Sequence, residues 1–314
     1  MIEIGGYFGL EQLINNPHHK NMIEINTGRN SLLYLIKAKK IKKLYLPYYL
    51  CDSVFAALDI NSIEYGYYKI DKDFMPIFNQ ELLENELLYI VNYYGQITNE
   101  VIENMKTKYK NIIMDNTHAF FQEPVGGVDT IYSCRKFFGV PDGAYLSTES
   151  ILDEELETDI SKKRMEHILG RFEGNASDYY KMFQENDEIF KGLKLKKMSK
   201  LTKNILGAID YEKIKTTRNN NYNYLHKRLG YINKISIKDI HGPFSYPFYV
   251  ENGIEVRKKL AKMNIYIPTL WPNVMMNNGE GSIEYDYAAN ILPLPCDQRY
   301  GIDDMEYIVR ELRI

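Results

Sequence analysis

In the segment SCRKFFGVPDGAYL, Lys136 stands directly ahead of Phe137 and Phe138 in a stretch rich in glycine and proline. Two such rings can desolvate an amine, favouring its neutral, nucleophilic form, and such an amine condenses with an aldehyde. Twenty-one residues earlier the apolar run NIIMD ends at Asp115, and His118 follows three residues later. A side chain leaving the C-terminal edge of a parallel sheet meets ligands there. Ser133, just before the lysine, carries a hydroxyl that can donate to a phosphate. TGRNSL, with Gly28, Arg29 and Asn30, places a glycine turn at the start of a helix, whose free N–H groups bind anions. A reactive lysine, a carboxylate that keeps a pyridine nitrogen protonated, phosphate donors and a flat side chain together meet the needs of pyridoxal 5'-phosphate chemistry.

Each of these residues also has a plainer reading. Asp115 is a common type of helix cap, His118 an ordinary core or surface histidine, Lys136 a solvated charge and Thr27 a simple cap for the next helix. Their order along the chain favours the chemical reading.

The elements along the chain alternate. Helical spacing runs from Asn30 to about Lys40, and KKLYLPYYL then reads as a buried strand closed by Pro47. A helical stretch near Asp52 to Leu58, a strand near Ser62 to Ile70 and a helical stretch near Asn79 to Asn85 follow. ELLYIVNYYG is an almost continuous apolar run, as expected of a strand buried on both faces. The helix NEVIENMKTKY, the strand NIIMD and the strand-like DTIYSCRK and GAYLST complete the series. Helices alternating with apolar strands imply α/β architecture, with a mostly parallel central sheet flanked by helices. From about 149 to 197 the chain turns charged and helical, as a connecting arm would. Beyond it come a long helix broken near Asp210, strands near Ser245 to Val250 and Asn264 to Ile267, and a helix at Ile254 to Met263. The expected division is a large cofactor-binding domain over 1–197 and a smaller α+β domain over 198–314.

Composition narrows the function classes. With 314 residues and 45% of them hydrophobic, the chain can bury a substantial core. A formal net charge of −3 without long single-sign blocks gives no basis for nucleic acid binding. The opening MIEIGGYFGLEQL lacks a basic segment followed by an apolar one, and no segment offers the roughly 20 apolar residues of a spanning helix, so a cytoplasmic protein is expected. Cys51, Cys134 and Cys296 are too few and too dispersed for a disulfide framework or a spacing-coded metal site. The 27 tyrosines suit a core and interface rich in amphipathic rings.

Taken in order, these segments resemble the DegT-type aminotransferases, fold-type I pyridoxal phosphate enzymes that act mainly on keto sugars attached to nucleotides. GGYFGLEQ is similar to the family's opening, TGRNSL to its phosphate turn and VNYYGQ to its apolar strand followed by YGQ. LYLPYYLCDSV resembles the strand and loop carrying the residue that stacks on the ring, at Tyr49 or Cys51. From DNTHAF the resemblance assigns Asp115 to the pyridine nitrogen and His118 to the ring hydroxyl. From SCRKFFGVPDGAYL it assigns Lys136 to the cofactor aldehyde, with Asp142 keeping the family's spacing six residues on. IYIPTLWP and LPLPCDQRYGIDDMEYI are similar to segments of a shorter branch of the family. Two features depart from the pattern: Ser133 is three residues before the lysine, closer than usual, and no Gly-x-Asn-Tyr-Arg segment precedes MSKLT.

The resemblance implies transamination from a donor such as glutamate to a keto sugar or related carbonyl compound, in a homodimer. Tyr94 and Trp271 are expected at the substrate, with core packing the alternative for Trp271, and Arg299 at a donor carboxylate, with a surface charge the alternative. Other reactions of the same carbanion, or a homologue serving only as a binding protein, remain alternatives at this level.

Overall fold

The computed structural model describes residues 4–312, so the outermost residues of the two expected domains, 1–3 and 313–314, lie outside it. Ten strands are assigned among the described residues: β1 (Ile23–Ile25), β2 (Lys43–Pro47), β3 (Glu64–Ile70), β4 (Pro76–Ile77), β5 (Glu86–Val91), β6 (Ile112–Asp115), β7 (Asp129–Ser133), β8 (Ala144–Ser147), β9 (Tyr246–Tyr249) and β10 (Ile291–Leu294). The helices are α1 (Gly28–Ala38), α2 (Asp52–Ile60), α3 (Asn99–Tyr109), α4 (Glu166–Glu173), α5 (Tyr180–Lys191), α6 (Lys200–Gly207), α7 (Tyr211–Leu229), α8 (Gly253–Ala261), α9 (Pro272–Asn277), α10 (Ile283–Asn290) and α11 (Ile302–Leu312).

Eight strands form one sheet in the order β1-β8-β7-β6-β5-β2-β3-β4. Neighbours from β7 through β6, β5 and β2 to β3 are parallel. Their C-terminal ends therefore share one edge, which carries Asp115 at the end of β6 and Ser133 at the end of β7. β5 and β6 are buried along their whole length, which explains their unbroken apolar runs. β8 runs antiparallel to β7, because the connection over residues 134–143 is too short for the helical crossover a parallel neighbour needs. That short connection is the lysine loop. Gly143 ends it at φ +111, a conformation open to glycine, and a Cβ there would come within 2.9 Å of Thr202.

Two expected elements are absent. Residues 79–85 form a loop, because Pro76–Ile77 fold back on Lys69–Ile70 and Phe78 anchors the chain in the core before the turn from Leu83 into β5. Near 264–267 the apolar alternation is genuine, with Ile265 and Ile267 both buried, but no strand lies alongside; the Ile265 N–H instead caps the Leu260 carbonyl at the end of α8. The small sheet pairs β9 with β10. The long C-terminal helix is broken at Ile209–Asp210, where the Asp210 side chain caps α7. A second core gathers Tyr222, Leu225, Phe248, Leu260, Leu292 and Met305 around that small sheet.

Candidate active site

Asp115 leaves the edge of β6 with its carboxyl buried. Tyr89, from the adjacent strand β5, donates its hydroxyl to Asp115 Oδ2 at 2.6 Å, and the Thr117 N–H donates to Oδ1 at 2.9 Å. Burial pushes the Asp115 carboxyl above its ordinary value, the two hydrogen bonds oppose that shift, and the Lys136 ammonium opposes it further. No cation touches the carboxylate among the described residues, so a protonated ring nitrogen is the kind of group it is suited to hold.

His118 is buried in the same loop. Burial, with the charge of Lys136 adding to it, holds its pKa well below the ordinary histidine value, so the ring is neutral near pH 7. Phe244 lies flat against it at 4.1 Å with the planes 4° apart, and Trp271 is nearly parallel at 5.6 Å. The Tyr94 ring stands 5.8 Å away. Tyr94 and Trp271 both hold left-handed backbone, at φ +55 and φ +57, which bulky residues adopt only under tertiary constraint. Two strained aromatic residues thus meet at one histidine.

Lys136 lies within electrostatic reach of both Asp115 and His118. It is exposed, and this corrects the expectation that its phenylalanine neighbours desolvate it. Phe137 and Phe138 turn inward at 3% and 7% exposure, packing with Phe120, because large rings gain more in a core than over a flexible amine. Arg135 beside it is engaged, paired with Asp187 at 2.9 Å and resting over the Phe190 ring, whereas Lys136 has no ion pair or hydrogen bond among the described residues. Asp142 keeps the loop in place by accepting from the Ser199 N–H at 2.8 Å and from the Ser199 and Thr202 hydroxyls at the start of α6.

The amino terminus of α1 arrives beside Ser133. Thr27 caps the helix by accepting from the Asn30 N–H at 3.1 Å. A Cβ on Gly28 would stand at ordinary contact distance, 3.7 Å from Ile131 Cγ2 and 3.9 Å from Ser133 Cβ, which places the helix start against the end of β7. The Ser133 hydroxyl caps nothing. Arg29, half-buried, feels Cys51, Arg135, Asp187 and Asp52, which brings Cys51 to this end as well. Free N–H groups, a hydroxyl and a guanidinium around one helix start make an anion cradle. With Asp115 at the neighbouring strand end, the cradle and the carboxylate fit the two ends of pyridoxal phosphate.

Three expected residues stand elsewhere or act otherwise. The Asn30 side chain donates to Asn26 at 2.8 Å and to the carbonyls of Lys194 at 2.8 Å and Leu193 at 3.2 Å, binding the connecting arm instead of facing the cradle. Tyr49 is fully buried and packs edge-on to Trp271 at 4.6 Å, so it does not present a flat face to the site. Arg299 is taken up by Asp297, through Nε at 2.6 Å and Nη2 at 2.8 Å, a pair two residues apart that leaves its fork unavailable for a donor carboxylate. Conversely, Tyr89 and Phe244 are in contact with Asp115 and His118, and sequence reasoning missed both. Tyr89 lies on the strand next to β6, a neighbour relation that the apolar run could have suggested; Phe244, in the loop before β9, carries no local signal.

Solved structures with this architecture are numerous. An aminotransferase of the DegT DnrJ EryC1 StrS type from Brucella abortus matches with a TM-score of 0.65 over 94% of this chain and 85% of its own, at 11% identity. The chain has the fold of the DegT-type aminotransferases. NtdA from Bacillus subtilis, solved with bound cofactor PMP, matches at 0.66 over 94% of this chain and 73% of its own, with 14% identity. PseC from Helicobacter pylori, an aminotransferase involved in the biosynthesis of pseudoaminic acid, matches at 0.61 over 94% and 86%, with 12% identity. No family model matches the sequence, and no curated protein matches it significantly. At these identities the DegT-type likeness is one of fold.

Proposed function

We propose that this chain is a pyridoxal phosphate-dependent aminotransferase that moves an amino group from an amino acid such as glutamate to a keto sugar or related carbonyl compound. The observation that carries the reading is the convergence of Lys136, Asp115 and His118 at one sheet edge, with the α1 anion cradle beside them.

The cofactor supplies an electron sink for the bond-breaking step. Asp115 holds the ring nitrogen, its burial strengthening the attraction for a cationic N–H. Neutral His118 would take the ring hydroxyl. The N–H groups at Gly28 and Arg29, with the Ser133 hydroxyl, take the phosphate. Lys136 would hold the cofactor through its aldehyde and, when free of it, its Nζ would carry a proton between the two carbon centres as general acid and base. Its exposure leaves it free to change partners. Trp271 borders the acceptor, while Tyr94, expected there too, is fully buried and backs His118.

The fold neighbours support the activity by their own descriptions, two of which name aminotransferases and one of which carries PMP. A homodimer is part of the proposal: Ile4, Tyr7 and Phe8 are each more than 90% exposed, an apolar strap suited to a second copy. We place the enzyme in the cytoplasm, in amino-sugar or surface-polysaccharide synthesis; among the described residues no helix is long and apolar enough to cross a membrane.

Glutamate added to the cofactor-loaded protein should convert the visible band to that of the amine form and release 2-oxoglutarate, and a nucleotide-linked keto sugar should then restore the band while gaining one amino group by mass. Loss of carbon dioxide or water from the substrate, without amine transfer, would refute transamination.

A further inference from the structure

Arg218 is the largest fully buried side chain in the molecule's described part, 1% exposed, and no carboxylate pairs with it. Burial lowers its pKa to about 10, so it remains a cation at neutral pH. Its donors go to neutral acceptors from three segments: Nη1 to the Pro243 carbonyl at 2.7 Å and the Phe244 carbonyl at 3.4 Å, Nη2 to the Phe137 carbonyl at 3.2 Å, and Nε to Gln298 Oε1 at 2.8 Å. Gln298 Nε2 donates in turn to the same Phe137 carbonyl at 2.8 Å, and the guanidinium lies over the Phe137 ring at 4.5 Å. Asp297 lies within electrostatic reach but is bonded to Arg299, and a buried charge without a bonded counter-ion is costly, so apolar packing would hold these segments more cheaply.

The acceptors explain what such a charge can do here. Phe137 directly follows Lys136, and Phe244 is the ring stacked on His118. We propose that Arg218, with Gln298, is a positioning residue that locks the backbone of the lysine loop to the Pro243–Phe244 segment, so that Lys136 and the His118 face are held in register by one buried guanidinium. A planar fork with donors in fixed directions can serve three carbonyl groups at once; an ammonium of similar reach cannot reproduce those directions. Its meaning for catalysis rests on the reading of Lys136 given above, but the clamp itself is a statement about where Lys136 stands.

The test therefore reads Lys136 in cofactor-free protein. Arg218→Lys, Arg218→Met and Gln298→Leu are compared with wild type for the rate at which an amine-specific reagent labels Lys136, scored by peptide mass against exposed Lys181 as internal reference, with thermal midpoint and circular dichroism recorded alongside. The rate at which the visible band forms after pyridoxal phosphate is added, together with its pH midpoint, is the second readout. Arg218→Lys should fold, change the Lys136 labelling ratio at least about threefold and lower the rate of cofactor attachment about tenfold or more, the scale on which small misplacements act. Gln298→Leu, which removes one of the two bonds to the Phe137 carbonyl, should move both in the same direction by less, and it keeps the test open if the Arg218 variants do not fold. An unchanged labelling ratio and band midpoint, with only the thermal midpoint lowered, would reduce Arg218 to a stabilising residue. The predicted change in labelling ratio in the variants, with no cofactor band in any protein, would instead overturn the functional reading while supporting the clamp.

Discussion

The sheet edge and the C-terminal third treat their polar groups in opposite ways. At the edge, among the described residues, Lys136 has no ion pair or hydrogen bond, the Ser133 hydroxyl caps nothing and Asp115 has no cation in contact. In the C-terminal third three arginines are committed: Arg218 to carbonyls and Gln298, Arg257 to the carbonyls of Ala288, Ala289 and Ile291, and Arg299 to Asp297. Converging polar groups without a charge partner are what the proposed ligand site calls for, whereas fully committed groups hold shape.

If that contrast is right, substitutions at the edge should damage turnover and those in the committed regions stability. The largest effect is expected for Asp115→Asn, which should lower kcat roughly 100-fold, the scale of removing one preorganised electrostatic group, with little change in unfolding free energy. A variant within threefold of wild-type turnover would break the assignment.

The next largest concerns His19, a completed group outside the site, which bonds to the Phe120 carbonyl at 2.8 Å. Burial lowers its pKa from 6.5 to about 3. The folded state thus keeps it neutral while the unfolded chain takes up a proton, so stability falls as pH drops from 6.5 toward 3. His19→Gln should remove roughly 2 kcal/mol of the acid-induced loss between pH 6 and pH 4 in denaturant titrations, at about 1.4 kcal/mol per pH unit. An unaltered pH profile would show that this histidine is not held neutral.

Asn30→Ala should lower stability by about 1–3 kcal/mol, by orphaning the carbonyls of the connecting arm, without weakening cofactor binding. Cofactor affinity lost more steeply than stability would return Asn30 to the cradle. The smallest effect belongs to Arg299→Ala: its ion pair is half-exposed and local, so both stability and the KM for the amino donor should stay close to wild type, within about 0.5 kcal/mol. A tenfold rise in KM would restore its expected role.

Much of this arrangement is legible in the sequence because the large sheet is built from local signals. NEVIENMKTKY is bounded by Thr98, whose side chain caps α3, and its span matches the observed helix residue for residue. NIIMD reads as a buried strand, and its last residue emerges at the edge. What the sequence leaves out depends on distant contacts. No property of Phe244 foretells its stacking on His118, 126 positions earlier in the chain. The exposure of Lys136 follows from where Phe137 and Phe138 find a core, which a reading of neighbours alone gets backwards. Near 264–267 the alternation of Ile265 and Ile267 is correct as a burial pattern but lacks a partner strand, and register needs two strands.

The most direct test of the account is to identify the residue that carries the cofactor. Wild type and Lys136→Ala are each mixed with pyridoxal phosphate, scanned for visible absorbance, reduced with borohydride, digested and mapped by mass. A visible band is expected in wild type only, with a reduced adduct on the peptide containing Lys136. An adduct on any other lysine, or an equal band in Lys136→Ala, would contradict it.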